Sequence, residues 1–242
     1  MKYVSADEAV KLVKSGDWVF FQGSTAVPVI IQEALARRAD ELRGVNIVSG
    51  FNITKGPAPF CRPEYKESFF VNSLFLCADQ REYVAQGYGS LIPGFLGELP
   101  SLIRRHEIPV DVACINCSLP DENGYCSYNI SADLAQPAVE SAKIVIAQVN
   151  KSIPYLYGTA MIHESQITAA VECDDPPVDM QFGPPTEIES AIGSYIAAEI
   201  PDGATLQIGV GGIPNATLNG LKDHKHLGLH TEAMTDGVFR LM

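Results

Sequence analysis

Glu232, His230 and the glycines from Gly209 to Gly212 are the residues of this sequence whose types and spacing could support covalent chemistry. Gln207-Ile-Gly-Val-Gly-Gly-Ile-Pro214 reads as a strand end turning into a helix. Glycines at such a turn let a ligand approach the backbone closely. The unpaired amides of a helix start face an anion or a developing oxyanion. The apolar run LGLHTE then ends in Glu232, ahead of a turn at Asp236-Gly237. A carboxylate beside oxyanion-binding amides is what nucleophilic acyl transfer requires: the carboxylate attacks a carbonyl, and the amides hold the tetrahedral oxyanion. Plainer readings stand beside this one. A glycine turn is an ordinary strand-to-helix connection, and a lone glutamate near a chain end is commonly a solvated surface residue. The dinucleotide fingerprint G-x-G-x-x-G fails at its third glycine, which is Pro214 here. His230 would share a strand face with Glu232, although a packed or hydrogen-bonded histidine is the simpler expectation. His163, in GTAMIHESQI, has no evident partner.

The elements that must position these residues follow an alternating rhythm. Ser5-Ala-Asp-Glu8 has the form of a capping box opening a helix that stops at Gly16. Trp18 to Phe21 is a continuous apolar run, as in a strand buried on both faces. Pro28 suits the first position of a helix through IIQEALARRADEL. Val45 to Val48, SFFVNSLFL, LGELPSLIRRH, VDVACINCS, AQPAVESA and KIVIAQVN carry the pattern on. The prolines and aspartates of DDPPVDMQFGPPT, residues 174–186, break it. Thr186-Glu-Ile-Glu189 is a second capping box, followed by a helix, a Pro201-Asp-Gly203 turn, a strand from Ala204 to Ile208, a helix NATLNGL and the strand ending at Glu232. Gly23, Pro28 and Leu35 recur as Gly209, Pro214 and Leu221 at one offset of 186 residues, which suggests an internal duplication. The expectation is an α/β fold of two tandem related domains with mainly parallel sheets, the second truncated. Residues 1–175 form the first domain, 176–186 a linker, and 187–242 the incomplete start of the second. In such sheets ligands bind beyond the carboxyl ends of the strands, the edge on which the glycine turn and Glu232 both fall.

Composition narrows the partners. The chain has 242 residues, 46% of them hydrophobic, and a net charge of −12. That balance argues against nucleic acid or an anionic membrane surface. No stretch approaches the roughly 18 apolar residues of a membrane span, and the charged, amphipathic N-terminus lacks a secretory apolar region. A cytoplasmic protein is expected. The six cysteines, Cys61, Cys77, Cys114, Cys117, Cys126 and Cys173, read as reduced core thiols. Cys114 and Cys117 form a C-x-x-C with no second pair, so no metal is expected.

Six segments carry a resemblance along nearly the whole chain: GDWVFFQGSTAVP, REYVAQGYGSLIPGFLGELPSLIRR, PVDVACINCSLPDENGYCSYNISAD, AKIVIAQVNKSIPYLYGTAMIH, DGATLQIGVGGIPNATLNGLKDHKHLG and HTEAMTDG. In these the chain resembles the acetyl-CoA hydrolase/transferase family of CoA-transferases, most nearly the branch of 4-hydroxybutyrate CoA-transferase and butyryl-CoA:acetate CoA-transferase. The resemblance implies two similar α/β domains with the active site between them. It implies that Glu232, in His230-Thr231-Glu232, is the catalytic glutamate. It further implies that Gly209, Val210, Gly211, Gly212 and Ile213, with Gln207 before them, contact CoA, and that Val210 supplies an oxyanion amide. In the family a second donor and further CoA contacts come from the C-terminal half, so the resemblance implies that this 242-residue chain is an inactive fragment. Leu119 departs from a family proline and Ala233 from the residue usual beside the nucleophile.

The implied reaction is ping-pong exchange of CoA, as co-substrate, between a short-chain acyl-CoA and a small carboxylate, in a homo-oligomer. It passes through a glutamyl-CoA thioester on an ionised Glu232. Three further readings remain open: an acetyl-CoA hydrolase using the same glutamate, a non-catalytic α/β ligand-binding protein, and a nucleotide-dependent oxidoreductase.

Overall fold

The computed structural model describes residues 1–179 and 183–241. The chain divides into two compact units, Met1–Asp179 and Met180–Met242. Of the expected linker at 176–186, residues 180–182 lie outside the described residues.

The first unit runs α1 (Ala6–Ala9), β1 (Trp18–Phe21), α2 (Val29–Ala36), β2 (Val45–Gly50), β3 (Phe69–Phe75), α3 (Ala78–Tyr83), β4 (Gly89–Leu91), α4 (Leu99–Arg104), β5 (Val112–Cys117), β6 (Tyr125–Ser127), α5 (Ala135–Ser141), β7 (Ile144–Asn150), β8 (Met161–His163) and β9 (Ala169–Cys173). Seven strands form one sheet in the order β4-β3-β2-β1-β5-β7-β9, and every pairing in it is parallel. Parallel strands need crossovers, whose helices cover both faces. Successive β1 residues therefore enter opposite cores. Val19 and Phe21 pack with Ile31 and Leu35 of α2, while Phe20 packs with Ile103 of α4 and Ala138 of α5. Each such large side chain contributes about 1.5–3 kcal/mol by leaving water. Chain direction away from β1 reverses between β2 and β5, so the sheet's switch point lies beside β1.

Asp111 ties three strand starts together at the opposite edge. Its carboxylate accepts from the Trp18 amide and from Lys143, each at 3.1 Å. Its backbone amide donates to the Trp18 carbonyl at 2.8 Å, and its carbonyl accepts from Lys143 and Ile144. The Trp18 bond and the Lys143 ammonium hold its carboxyl below the usual aspartate range.

Local departures from the sequence reading have local causes. The first helix is one α-turn followed by a 3₁₀ turn, Val10–Leu12. Ser5 caps it by accepting from the Glu8 amide at 3.2 Å, but Glu8 pairs with Lys11 at 2.7 Å instead of closing the box. α2 stops at Ala36 rather than running to Leu42. The chain there tightens into i→i+3 turns, with Arg38, Ala39 and Glu41 donating to Leu35, Ala36 and Arg38, while the Arg38 guanidinium reaches the Val10 and Val13 carbonyls. His163 gains a partner: it caps a 3₁₀ turn, with Nδ1 2.7 Å from the Ser165 hydroxyl. Cys114 and Cys117 face opposite cores, so their C-x-x-C is not a paired site.

The second unit holds α6 (Glu187–Ala198), β10 (Thr205–Leu206), α7 (Gly212–Gly220), β11 (Gly228–Leu229) and α8 (Asp236–Phe239). The capping box of α6 is complete: Thr186 accepts from the Glu189 amide at 3.2 Å, and Glu189 accepts from the Thr186 amide at 2.7 Å. α6 crosses α7 where neither has bulk. A Cβ on Gly193 would lie 2.7 Å from the Ala216 carbonyl carbon, and one on Gly220 would lie 2.8 Å from the Ala197 Cβ. Ala197, Ile208, Leu218, Leu221 and Val238 form the core of this unit. Asp236-Gly237, read from sequence as a turn, instead begins α8. Gly237 lacks the Cβ that would meet Leu218, which lets α8 lie against α7.

Candidate active site in the second unit

β10 and β11 are parallel, with Thr205 opposite Gly228 and Leu206 opposite Leu229. Both strands are shorter than the five- and six-residue runs expected from sequence, and Glu232 lies beyond the end of β11 rather than at its tip. The last ladder bond runs from the His230 amide to the Leu206 carbonyl, at 2.9 Å. Past it, a side chain takes over from the backbone. The Ile208 amide donates to the Thr231 hydroxyl oxygen at 2.9 Å, and that hydroxyl donates back to the Ile208 carbonyl at 2.8 Å. The same hydroxyl lies 3.2 Å from the Ala233 carbonyl.

This clasp sets where the nucleophile candidate emerges. Gly209 follows Ile208 and Glu232 follows Thr231, so each stands one residue, about 3.8 Å of chain, past a bonded pair. A second tether closes the segment: the Thr235 hydroxyl donates to Asn215 Oδ1, on α7, at 3.2 Å. Residues 232–234 are thus held at one end to the strand that enters the glycine turn and at the other to the helix that leaves it. Glu232 is exposed, as is His230.

The turn has the backbone its glycines permit. Gly211 is the N-cap of α7 with φ +148°, a conformation L side chains rarely adopt. α7 begins at Gly212, three residues before the helix expected from sequence, so Ile213 and Pro214 belong to its first turn. First-turn amides have no intrahelical acceptor, and Pro214 has no N–H to leave unpaired. Among the described residues, the Val210, Gly211, Gly212 and Ile213 amides donate no hydrogen bond. Ile208 is buried, Gln207, Val210 and Ile213 are exposed, and Gly209, Gly211 and Gly212 are half-buried. The structure therefore brings Gln207, the glycine turn and Glu232 to one carboxyl edge. Together these groups can present a carboxylate and several free amides to an acyl carbonyl.

Two features had no reading from sequence. Glu189 lies so near Gly212 that a Cβ there would meet its carboxylate. The Thr186 amide and hydroxyl donate to that carboxylate and lower its pKa from the ordinary glutamate value. The capping box was legible, but its second contact depends on how α6 crosses α7. In the first unit, a cavity of about 130 Å³ opens at the carboxyl ends of β5 and β7, lined in part by Thr25, Asn116, Gln148 and Glu33. Gln148 Oε1 accepts the Ile30 amide of α2 there, at 3.2 Å.

Comparison with known proteins identifies the family. Residues 1–180 match the acetyl-CoA hydrolase/transferase N-terminal domain. A 4-hydroxybutyrate coenzyme A transferase of Clostridium kluyveri is 39% identical over 241 residues, covering 100% of this chain and 56% of the relative. A butyryl-CoA:acetate CoA-transferase of Anaerostipes caccae is 34% identical, covering 97% and 54%. The crystal structure of a 4-hydroxybutyrate CoA-transferase from Porphyromonas gingivalis superposes with a TM-score of 0.82 at 36% identity, over 99% of this chain and 56% of that one. The chain spans about half the length of the curated relatives it matches. It belongs to the acetyl-CoA hydrolase/transferase family.

Proposed function

We propose that the protein carrying this chain transfers CoA between a short-chain acyl-CoA and a carboxylate such as acetate, butyrate or 4-hydroxybutyrate, with Glu232 as nucleophile. The observation that carries this reading is the double tether of residues 232–234 to Ile208 and Asn215, on either side of the glycine turn. The Glu232 carboxylate attacks the thioester carbonyl of the acyl-CoA, giving an acyl-glutamyl anhydride and CoA thiolate. The Val210 amide and its neighbours hold the oxyanion. The thiolate then attacks the glutamyl carbonyl, releasing the first carboxylate and leaving a glutamyl-CoA thioester. A second carboxylate attacks that thioester, expelling CoA thiolate and forming a new anhydride. The thiolate finally attacks the incoming acyl carbonyl, releasing the new acyl-CoA and restoring Glu232. Gln207, Gly209, Gly211, Gly212 and Ile213 line the path of the CoA arm.

Thioester energy survives only if water is kept out. Exposed Glu232 therefore needs cover from elsewhere in a longer protein, and interception of the intermediate by water would give the hydrolase named in the family's description. The two-domain arrangement, a cytoplasmic location and homo-oligomeric assembly belong to the same proposal. The test is exchange of labelled acetate into butyryl-CoA by the full-length protein and its Glu232→Gln variant. Exchange lost in the variant supports the reading, and exchange retained refutes it. CoA release without an acceptor carboxylate would favour hydrolysis.

A further inference from the structure

We infer that Thr231 is a positioning residue, whose hydroxyl sets the distance between the nucleophile and the oxyanion amides. This rests on the role proposed for Glu232. The Thr231 hydroxyl is the hub of three backbone contacts: it accepts from the Ile208 amide at 2.9 Å, donates to the Ile208 carbonyl at 2.8 Å, and lies 3.2 Å from the Ala233 carbonyl. A single oxygen thereby joins the residue before Glu232 to the residue that enters the glycine turn, and lies close to the carbonyl of the residue after it.

The arrangement explains why a hydroxyl stands here. A further ladder bond would keep the two backbones in strand register and would carry Glu232 onward along β11. The hydroxyl replaces that bond with one accepted and one donated interaction, so both chains can leave the strand at the same level while staying joined. The nearest neighbours confirm the division of labour: the His230 amide still makes its backbone bond to Leu206, and Thr235 anchors the far end of the loop. Only a group that both accepts and donates, on a one-carbon stem, fits between Ile208 and residue 231. Serine meets that condition. Valine has the shape of threonine without either interaction, and it leaves the Ile208 amide and carbonyl unpaired beside a buried residue.

The consequence for catalysis is geometric. Misplacing a reacting group by about 1 Å costs on the order of 100-fold in rate. Loss of the clasp should therefore lower the chemical step while leaving CoA recognition by the glycine turn largely intact.

The test compares Thr231→Val, Thr231→Ser and Glu232→Gln in the full-length protein. Single-turnover formation of the Glu232–CoA adduct is followed by mass spectrometry, and steady-state kcat and KM for the acyl-CoA are measured separately. Thr231→Val is expected to slow adduct formation and kcat by about 100-fold, with KM changed less than about threefold. Thr231→Ser is expected to recover most of the rate. Amide exchange of the described second unit gives a readout independent of turnover: in Thr231→Val the Ile208 amide should exchange faster, while the His230 amide, bonded to Leu206, keeps its protection. Wild-type adduct kinetics in Thr231→Val would overturn the inference, as would a serine variant as slow as the valine one. If Glu232→Gln still turns over, the nucleophile assignment itself falls. If it is inert while Thr231→Val is as fast as wild type, only the positioning role falls.

Discussion

At the scale of single residues, a carboxylate and a glycine turn say little until something fixes their separation. Glu232 and Gly209 were both visible in the sequence, because glycines in a strand-to-helix turn and a glutamate after an apolar run are local patterns. The Thr231 clasp was not, because its partner, Ile208, is 23 residues away and its identity depends on parallel register. The φ of +148° at Gly211 gives a second residue-scale expectation. Gly211→Ala forces a side chain into that conformation, at about 1–3 kcal/mol, or makes the turn relax. Relaxation would re-aim the amides that α7 presents. Acyl-CoA KM should rise in this variant even where folding survives, as measured by steady-state exchange kinetics. An unchanged KM would detach the turn from CoA binding.

At the scale of elements, the glycine turn is only as well placed as α7, and α7 is set by its crossing with α6. Gly193→Ala isolates that crossing. Helix propensity favours alanine by about 1 kcal/mol, whereas driving a Cβ to 2.7 Å from the α7 backbone forces an overlap that costs about 1–3 kcal/mol. The overlap should win, so the urea midpoint of the second unit should fall, and a rise would contradict the packing described. In the first unit, Asp111→Asn keeps an acceptor for the Trp18 amide and removes the charge. Loss of about 0.5–1 kcal/mol is expected near neutral pH, the hydrogen-bond value trimmed for partial exposure. The Asp111 carboxyl titrates lower in the folded than in the unfolded chain. Its contribution is therefore complete above the unfolded value of about 4 and fades as pH falls through the folded one. Denaturation of the two proteins across that range should show the gap closing on acidification.

At the scale of the whole molecule, the parallel sheet was legible because strands buried on both faces read as apolar runs, as Trp18–Phe21 and the first four residues of β7 do. The antiparallel pair β6 and β8 was not, since two three-residue strands pair across a separation of more than 30 residues and leave no period to read. The 186-residue offset places β1 over β10 and α2 over α7, and a duplication remains the proposal that explains it. The two units differ in core size: among the described residues, two extensive clusters of buried apolar residues in the first and one cluster of five in the second. Amides of β10, β11 and α7 should accordingly exchange with solvent well before those of β1, β5 and β7 under mild denaturant. Equal protection in both units would contradict that ranking. The chemistry itself is tested most directly by one measurement: the full-length protein incubated with acyl-CoA alone, quenched, and mapped by peptide mass. CoA joined through a thioester to the peptide containing Glu232, and lost on hydroxylamine treatment, is the expected result. CoA on another residue, or no covalent adduct in a protein that still exchanges CoA, would contradict it.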